Sequence, residues 1–408
     1  MTDSRKRFFI LAAIFIVTRI FCFFLVVSNW SDIPIYERYS DYIFDGQTPY
    51  RDFLVEYPPL TLLIFIIPSL LAKVIGGYAI SFRLVMMGFD LGNIFLINKL
   101  AGNTAERPES TAFMSSLIYL VLTGLAFQLL YDRFDIAVTF MILLSIYFAL
   151  IKDSWFAAYL AIWIAVMTKI FPVILIPLFG AMQVKIKRDK YKPIVDGGLA
   201  TLALMVLLLL SWVIFGPWWK TMISYHGERG IQIESMYGMI ASLATLLGVP
   251  YSINHNFGSF NIENSLTQYF ASLSPFITLA AIIFGYYLFN GNLSVSREKR
   301  HIKTLVSGIM LVLTWFVIAN KVISPQYLLW LYPFIAIYHT NGKNDILPLI
   351  CWAAMAALTT VLFPYLYPAM VMQKTDGVVL LTARNLTLLL GAVFISLKTD
   401  LVAAKPRG

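Results

Sequence analysis

Long apolar runs, separated by short polar or proline-marked breaks, fill most of this 408-residue chain. Because a membrane-spanning helix needs about 20 apolar residues, these runs predict twelve transmembrane helices. We therefore expect an all-α, polytopic protein made of one transmembrane domain, 1–408. The predicted spans cover residues 8–28, 78–100, 111–130, 135–151, 155–168, 170–184, 194–215, 269–289, 304–320, 325–340, 346–364 and 379–397.

The stretch 60–75 is ambiguous, because after Tyr57-Pro58-Pro59 it can either cross the membrane or lie at its interface. The basic residues favour the interface. In that topology the clusters 185–192 and 297–303 and the residues Lys99, Arg107 and Lys152 lie on the side of the N-terminal Arg5-Lys6-Arg7, as do Lys405 and Arg407. Since Lys and Arg collect on the cytoplasmic side, the sequence predicts an interfacial helix at 60–75 and two cytoplasmic termini.

Composition agrees with a membrane protein: 59% of the residues are hydrophobic, 13% are charged, and the mean hydropathy is +0.76. The net charge of +9 is explained by topology, so we do not expect a nucleic-acid partner. The run 8–27 is too long for a signal-peptide core and predicts a retained first span. Cys22 and Cys351 both lie in apolar runs, which excludes a disulfide framework and a cysteine metal site.

This topology places five segments on the outer face: 29–60, 131–135, 168–171, 217–265 and 320–326. The first of them carries six acidic residues: Asp32, Glu37, Asp41, Asp45, Asp52 and Glu56. Asp32 directly follows the first span, where a carboxylate partly excluded from water can act as a general base. The alternative is that these carboxylates only solvate a loop, an interpretation that suits Glu37 and Asp45 better than Asp32.

Two short outer turns carry charge between apolar helices. In Tyr131-Asp132-Arg133-Phe134-Asp135 the alternatives are a substrate contact, or an Asp that caps the next helix beside an Arg that reaches the interface. Lys169 interrupts a long apolar run, and a cation there is costly unless it is paired. It is either an anion or phosphate contact or the partner of Asp132 or Asp135, and the sequence leaves both open.

Two further polar breaks predict a cavity on the outer side, because irregular backbone at membrane depth needs protein or a wet cavity around it. One break, 225–235, carries His226 and Arg229, and the other, 320–327, carries Lys321 and Gln326. His226 alone is too little for a metal site. Within the spans, Arg19, Asp90 and Arg384 favour buried ion pairs or backbone contacts over substrate contacts.

Several motifs together resemble the GT-C integral-membrane glycosyltransferases, above all the polyprenyl-phosphate-mannose-dependent mannosyltransferases of glycosyltransferase family 87. The resemblance covers about residues 8–340 and depends on the order and shared sidedness of the motifs. These are Asp32-Ile-Pro-Ile-Tyr36, Gly46-Gln-Thr-Pro49-Tyr50-Arg-Asp52-Phe, Glu56-Tyr-Pro-Pro-Leu60, Arg133-Phe-Asp135, Lys169-Ile-Phe-Pro172 and Ser324-Pro-Gln-Tyr327-Leu-Leu-Trp330.

The resemblance implies an inverting sugar transfer, most commonly of mannose, from a polyprenyl phosphate to a hydroxyl of a glycolipid, glycan or protein. By resemblance Asp32 is the catalytic base, with Asp41, Asp52 and Glu56 as rivals, and no metal or other cofactor is implied. The candidate substrate-binding residues are Tyr36, Asp52, Glu56, Arg133, Asp135, Lys169, His226, Arg229, Lys321 and Gln326. Among them, Lys169, His226, Arg229 and Lys321 are the cations available on the outer face to stabilise the departing phosphate. The expected location is the outer face of a prokaryotic plasma membrane.

Two other classes of function stay open at this point. A secondary transporter would carry ionisable residues at the midplane and internal repeats, whereas Asp90 is the only mid-span carboxylate and no repeat is visible. A membrane scaffold would leave the one-sided cluster of acids and cations unexplained. A cavity that opens outward and sideways toward lipid would favour the enzyme.

Overall fold

A computed structural model of the chain describes residues 3–27, 30–104, 108–296, 300–339 and 346–403. Asn29, Arg107, residues 297–299 of one basic cluster, and Lys405 and Arg407 lie outside the described residues. Helices make up most of the described chain, which confirms the predicted all-α class. The helices are α1 (Asp3–Phe24), α2 (Ile33–Phe44), α3 (Thr61–Ile75), α4 (Tyr78–Gly102), α5 (Pro108–Leu125), α6 (Phe127–Leu130), α7 (Asp135–Leu150), α8 (Trp155–Thr168), α9 (Ile176–Lys187), α10 (Lys192–Phe215), α11 (Trp218–Glu228), α12 (Met236–Leu246), α13 (Thr267–Val295), α14 (His301–Ala319), α15 (Tyr332–Tyr338), α16 (Ile346–Thr360), α17 (Tyr367–Val371) and α18 (Thr375–Ala403).

In the described ranges, seven helical stretches are long and apolar enough to cross a membrane. The predicted spans 135–151 and 155–168 are shorter helices, α7 and α8. The count of twelve crossings therefore stays a prediction. The seven stretches are Arg5–Phe24, Tyr78–Gly102, Lys192–Phe215, Thr267–Ser294, His301–Ala319, Ile346–Val371 and Thr375–Leu397.

Two predicted spans, 170–184 and 325–340, are not single helices. Each begins with a 3₁₀ segment, Phe171–Leu175 or Pro325–Trp330, before α9 or α15 follows. Prolines lie in the first turn of all four elements, where the missing N–H costs nothing and the fixed φ starts a new helix. Similarly, the predicted span 111–130 divides into α5 and the short helix α6.

The bundle has a protein-enclosed centre and a lipid-exposed rim. In the most apolar window of α14, 83% of the residues are buried, against 11% in α1 and 17% in α10. α14 packs against α13, α15 and α18, whereas α1 and α10 present apolar side chains outward. This distribution is that of an integral membrane protein, in which lipid covers the apolar outer faces.

Hydrogen bonds tie helix α3 to the end of α8 and to the start of α4. At its start, Thr61 donates through Oγ1 to the carbonyl of Thr168. After its end, α4 begins with Tyr78, whose hydroxyl donates back to the carbonyl of Phe65 in the first half of α3 at 3.1 Å. α4 then runs to the opposite end of the bundle, and its 25 residues span about 37 Å.

Segment 217–265 contains a two-stranded antiparallel hairpin that the sequence did not predict, β1 (Ser252–Asn256) and β2 (Ser259–Glu263). Its two turn residues, Phe257 and Gly258, have φ of +49° and +65°. Two left-handed residues match the twist of a two-residue hairpin turn. The sequence signal was faint, because the turn has Phe rather than Asn or Asp before its glycine.

Candidate active site

A cavity of about 300 Å³ lies at one end of the bundle and collects polar side chains from distant parts of the chain. It is bounded by the start of α2, the loop before α3, the bend between α8 and α9, the end of α11, the turn between β1 and β2, and the break 320–327. Eight predicted site residues line it: Asp32, Tyr36, Glu56, Lys169, His226, Arg229, Lys321 and Gln326.

Asp32 precedes the first residue of α2, yet its side chain makes no capping hydrogen bond to that helix. Its carboxylate instead lines the cavity, with 27% of the side chain exposed. Arg133 Nε lies 2.9 Å from its Oδ2, and the hydroxyl of Tyr36 donates to the same oxygen at 3.4 Å. Burial raises the pKa of Asp32, and the nearby Glu56 carboxylate adds to this, although the Arg133 guanidinium opposes it.

Arg133 lies behind Asp32 and is held from several sides. Its guanidinium contacts Asp132 Oδ2 at 2.8 Å and donates to the carbonyl of Trp30 at 2.9 Å. Asp132 in turn pairs with Arg83 at 3.4 Å. The alternative of an Asp cap with an interfacial Arg is wrong: Phe134 occupies the N-cap of α7, and Arg133 is buried.

Lys169 combines the two alternatives that the sequence left open, since it lines the cavity and also forms an ion pair. Its Nζ lies 2.6 Å from Oδ1 of Asp135, to which the indole of Trp330 also donates at 2.5 Å. Asp135 itself lies behind the cavity wall. Four aromatic rings lie within cation–π distance of the ammonium group: Tyr57, Phe134, Tyr327 and Trp330.

The opposite wall consists of a strap, residues 226–235, held against Lys321. The Lys321 ammonium donates to the carbonyls of Gly227 at 3.0 Å and Arg229 at 2.6 Å, and its own carbonyl accepts from Gln232 N at 3.0 Å. Burial and the neighbouring Arg229 lower the pKa of Lys321. Lys321 therefore fixes the strap backbone as well as lining the cavity.

Arg229 is the cation of the strap with unused hydrogen-bonding capacity. Its side chain is only 9% exposed, it lies 5.8 Å from the centre of the Tyr225 ring, and its buried Nε has no hydrogen-bond partner. A buried guanidinium donor without a partner is costly. Arg229 also lines the cavity, so its guanidinium supplies positive charge for an anionic ligand there.

His226 Nε2 donates to the carbonyl of Glu56 at 3.2 Å, which links the strap to the first loop. Burial and the charge of Arg229 lower the pKa of His226 and favour its neutral form. Within the described ranges, no three His, Cys, Asp or Glu side chains are grouped so that they could hold a metal ion.

Asp52 does not join the cavity, contrary to the prediction. Its carboxylate pairs with Arg51 at 2.9 Å and accepts from the backbone N–H of Thr48 at 2.6 Å. These contacts lower the pKa of Asp52 to about 2. The short turn 48–53 closes on itself through Tyr50 N and the carbonyl of Phe53 at 2.9 Å, so Asp52 serves that turn.

The aromatic side of the cavity was not predicted from the sequence to be part of the site. Trp330 stacks on Phe171 with ring centres 3.7 Å apart and on Tyr327 with centres 4.2 Å apart. Tyr327 and Trp330 occupy positions i and i+3 of a 3₁₀ segment, where side chains eclipse. The Tyr327-Leu-Leu-Trp330 spacing after a proline was the available signal.

The ionisable residues inside the helices form buried pairs, as predicted. Asp90 is fully buried, lies 2.8 Å from Arg19 and accepts hydrogen bonds from the hydroxyls of Tyr119 and Tyr131. Arg384 lies 3.5 Å from Glu234. The carboxylate of Asp90 is thus committed to a buried ion pair and to two tyrosine hydroxyls.

Comparisons with known proteins agree on one class of enzyme. The model of glycosyltransferase family 87 matches residues 53–314. GPI mannosyltransferase 1 of Candida albicans is 23% identical over 330 residues, covering 76% of this chain and 75% of that protein. The protein of the same name from Debaryomyces hansenii is 24% identical over 333 residues, covering 76% and 74%.

Two solved structures of ArnT from Cupriavidus metallidurans are also similar in part. The apo structure matches with a TM-score of 0.43 and 11% identity, covering 95% of this chain and 77% of that one. The structure bound to undecaprenyl phosphate matches with a TM-score of 0.46 and 12% identity, covering 98% and 78%.

Proposed function

Since the chain belongs to glycosyltransferase family 87 and is an integral-membrane glycosyltransferase, we propose that it transfers mannose from a polyprenyl phosphate to an acceptor hydroxyl. Transfer takes place in the described cavity, with inversion at the anomeric carbon and with Asp32 as the general base. The acceptor is a glycolipid, a glycan or a protein. The mannosyltransferase names of the two yeast relatives support the choice of sugar.

One observation carries this proposal: a carboxylate and an unsatisfied guanidinium line the same cavity. Asp32 contributes the carboxylate and Arg229 contributes the guanidinium. An inverting transfer to a hydroxyl needs a base for the incoming group and positive charge for the departing phosphate. Both are available in one space of about 300 Å³.

In the proposed step, the acceptor oxygen attacks the anomeric carbon while its proton passes to Asp32. The bond between that carbon and the lipid phosphate oxygen breaks, and the phosphate leaves with the bonding electron pair. Burial raises the pKa of Asp32, which makes its carboxylate a stronger base once it is deprotonated. Arg133 keeps that carboxylate oriented at 2.9 Å.

On the donor side, Arg229 and Lys169 supply the positive charge that stabilises the leaving phosphate. Tyr36, Gln326 and the aromatic rings of Tyr327 and Trp330 complete the sugar-binding wall. Because basic residues collect on the cytoplasmic side, we assign the cavity to the outer face of the membrane, with both termini inside. The assignment of that membrane to a prokaryotic plasma membrane follows only from the resemblance of the motifs. The single transmembrane domain 1–408 belongs to the same proposal.

Glu56 is the rival base, since its side chain lines the same cavity as Asp32. Asp41 is exposed and does not line it. The test is a transfer assay in nanodiscs with a panel of radiolabelled polyprenyl-phosphate sugars and a total lipid extract. For the mannose donor, Asp32→Asn should lower turnover about a hundred- to ten-thousand-fold, whereas Asp41→Asn should stay near wild type.

If Glu56→Gln abolishes transfer and Asp32→Asn does not, Glu56 is the base and only the residue assignment is wrong. If the wild-type protein transfers another sugar and not mannose, the donor assignment is wrong. Full activity of both Asp32→Asn and Glu56→Gln would contradict general-base catalysis by this cavity.

A further inference from the structure

A second large cleft lies away from the catalytic cavity and has a different chemistry. It has a volume of about 1020 Å³, at the upper end of the roughly 300–1,000 Å³ of ligand-binding pockets. Three basic residues from the end of α9 line it, Lys185, Lys187 and Arg188, with Asp153 as the one acidic residue in the described lining. Apolar side chains complete the wall, among them Leu150, Ile151 and Ile302.

The two cavities lie at opposite ends of the same helices. α7 begins at Asp135, which pairs with Lys169 of the catalytic cavity, and its last residue Leu150 lines the second cleft. The 16 residues of α7 are about 24 Å long. α14 runs the other way, from His301 in the cleft to Asn320, just after its end, in the catalytic cavity.

The three basic residues of the cleft differ in their contacts and in their backbone conformation. Lys187 pairs with Asp153 at 2.6 Å, and Lys185 donates to the carbonyl of Ser294 at the end of α13 at 3.3 Å. Arg188 ends α9 with φ of +54°, a conformation that favours glycine. An exposed arginine therefore occupies a strained position beside the cleft.

We propose that this cleft binds the phosphate of an anionic phospholipid, with Lys185 and Arg188 contacting the phosphate. The apolar residues Leu150, Ile151 and Ile302 would face its glycerol and acyl carbons. Basic pockets between transmembrane helices bind phosphate head groups. A cleft with both cationic and apolar side chains suits a lipid, which has a phosphate and acyl carbons, better than it suits a free anion. The inference goes beyond the proposed function and does not depend on it.

The competing explanation is that these residues only orient the protein in the membrane, as basic residues commonly do. The chain offers a matched control, because Lys190 and Lys192 belong to the same basic stretch and do not line the cleft. Lys185→Gln/Arg188→Gln and Lys190→Gln/Lys192→Gln change the net charge equally. Both leave the Lys187 and Asp153 pair intact.

The test measures thermal unfolding of the full chain in nanodiscs of phosphatidylcholine, with and without phosphatidylglycerol. A lipid that binds the folded state should raise Tm. We expect the rise with phosphatidylglycerol in the wild type and in the control pair, and its loss in Lys185→Gln/Arg188→Gln. Each variant is compared with itself in the two lipids, so a general loss of stability does not affect the result.

Three outcomes would overturn the inference. No rise of Tm in the wild type excludes anionic lipid binding, and an equal loss in both variant pairs shows only general attraction of the basic face. An equal rise with millimolar inorganic phosphate in pure phosphatidylcholine, without further effect of the lipid, would make this a soluble-anion site.

Discussion

Arg133 Nε lies 2.9 Å from Asp32 Oδ2, and this ion pair joins two loops that are about a hundred residues apart in the chain. The arginine is nearly buried, whereas the carboxylate keeps 27% of its surface open toward the cavity. The same guanidinium also holds Asp132 and the carbonyl of Trp30. Arg133 therefore fixes the orientation of the Asp32 carboxylate, which stays accessible from the cavity.

We predict that Arg133→Gln lowers transfer and moves its pH dependence. The guanidinium opposes the rise in the pKa of Asp32, so its loss should raise that pKa further. A base must be deprotonated, and the acidic limb of kcat/KM should therefore shift to higher pH. The measurement is a pH–rate profile, with Arg83→Gln as the control because Arg83 contacts Asp132 and not Asp32. An unshifted acidic limb would falsify the pairing as a determinant of catalysis.

Lys169→Met should destabilise the protein strongly, because it leaves the buried carboxylate of Asp135 without its cation. Breaking a buried pair by removing one partner costs about 3–5 kcal/mol. The double variant Lys169→Met/Asp135→Asn should recover most of that loss in thermal unfolding. If the double variant also regains the wild-type KM for the donor, Lys169 is structural and does not contact the lipid phosphate.

Arg229→Gln should weaken donor binding while the fold survives. A charge-assisted hydrogen bond contributes about 1.5–3 kcal/mol, so KM for the polyprenyl-phosphate sugar should rise about 10- to 150-fold. Lys220→Gln is the control, since Lys220 is exposed on α11 and does not line the cavity. Equal effects of the two variants would assign the loss to general electrostatics.

Glu234 should make stability depend on pH, because burial raises its pKa to about 7 despite the neighbouring Arg384. An acid whose pKa is raised on folding stabilises the folded state at low pH, and this contribution is lost as pH rises through about 7. Between about pH 4.5 and 7, the wild type should lose stability with rising pH relative to Glu234→Gln/Arg384→Met. Parallel curves of Tm against pH for the two proteins would contradict this linkage.

Cysteine labelling should show that α3 does not cross the membrane. Val74 near its end is 87% exposed, and Cys22 and Cys351 are both buried, so background labelling should be low. Val74→Cys should react from the side of the catalytic cavity, and Asp189→Cys, near the second cleft, from the other side. Labelling of both positions from one side would make α3 a transmembrane helix.

The pattern of apolar runs and polar breaks was enough to predict the class of the molecule and most of the charged and polar residues that line the cavity. Apolar runs report helices directly, because a membrane-exposed helix needs an apolar surface along its whole length. Polar, proline-marked breaks report irregular backbone that needs a cavity. For this reason eight predicted residues, from Asp32 to Gln326, line one space.

The pairing of the charged residues, in contrast, could not be predicted and is visible only in the folded protein. Lys169 had two candidate carboxylates, and packing chose Asp135. Asp52 had the right chemistry and the right loop, yet a local turn holds it outside the cavity. Residue type limits what a side chain can bind, whereas its partner depends on how helices distant in sequence pack, because ion pairs form only within a few ångströms.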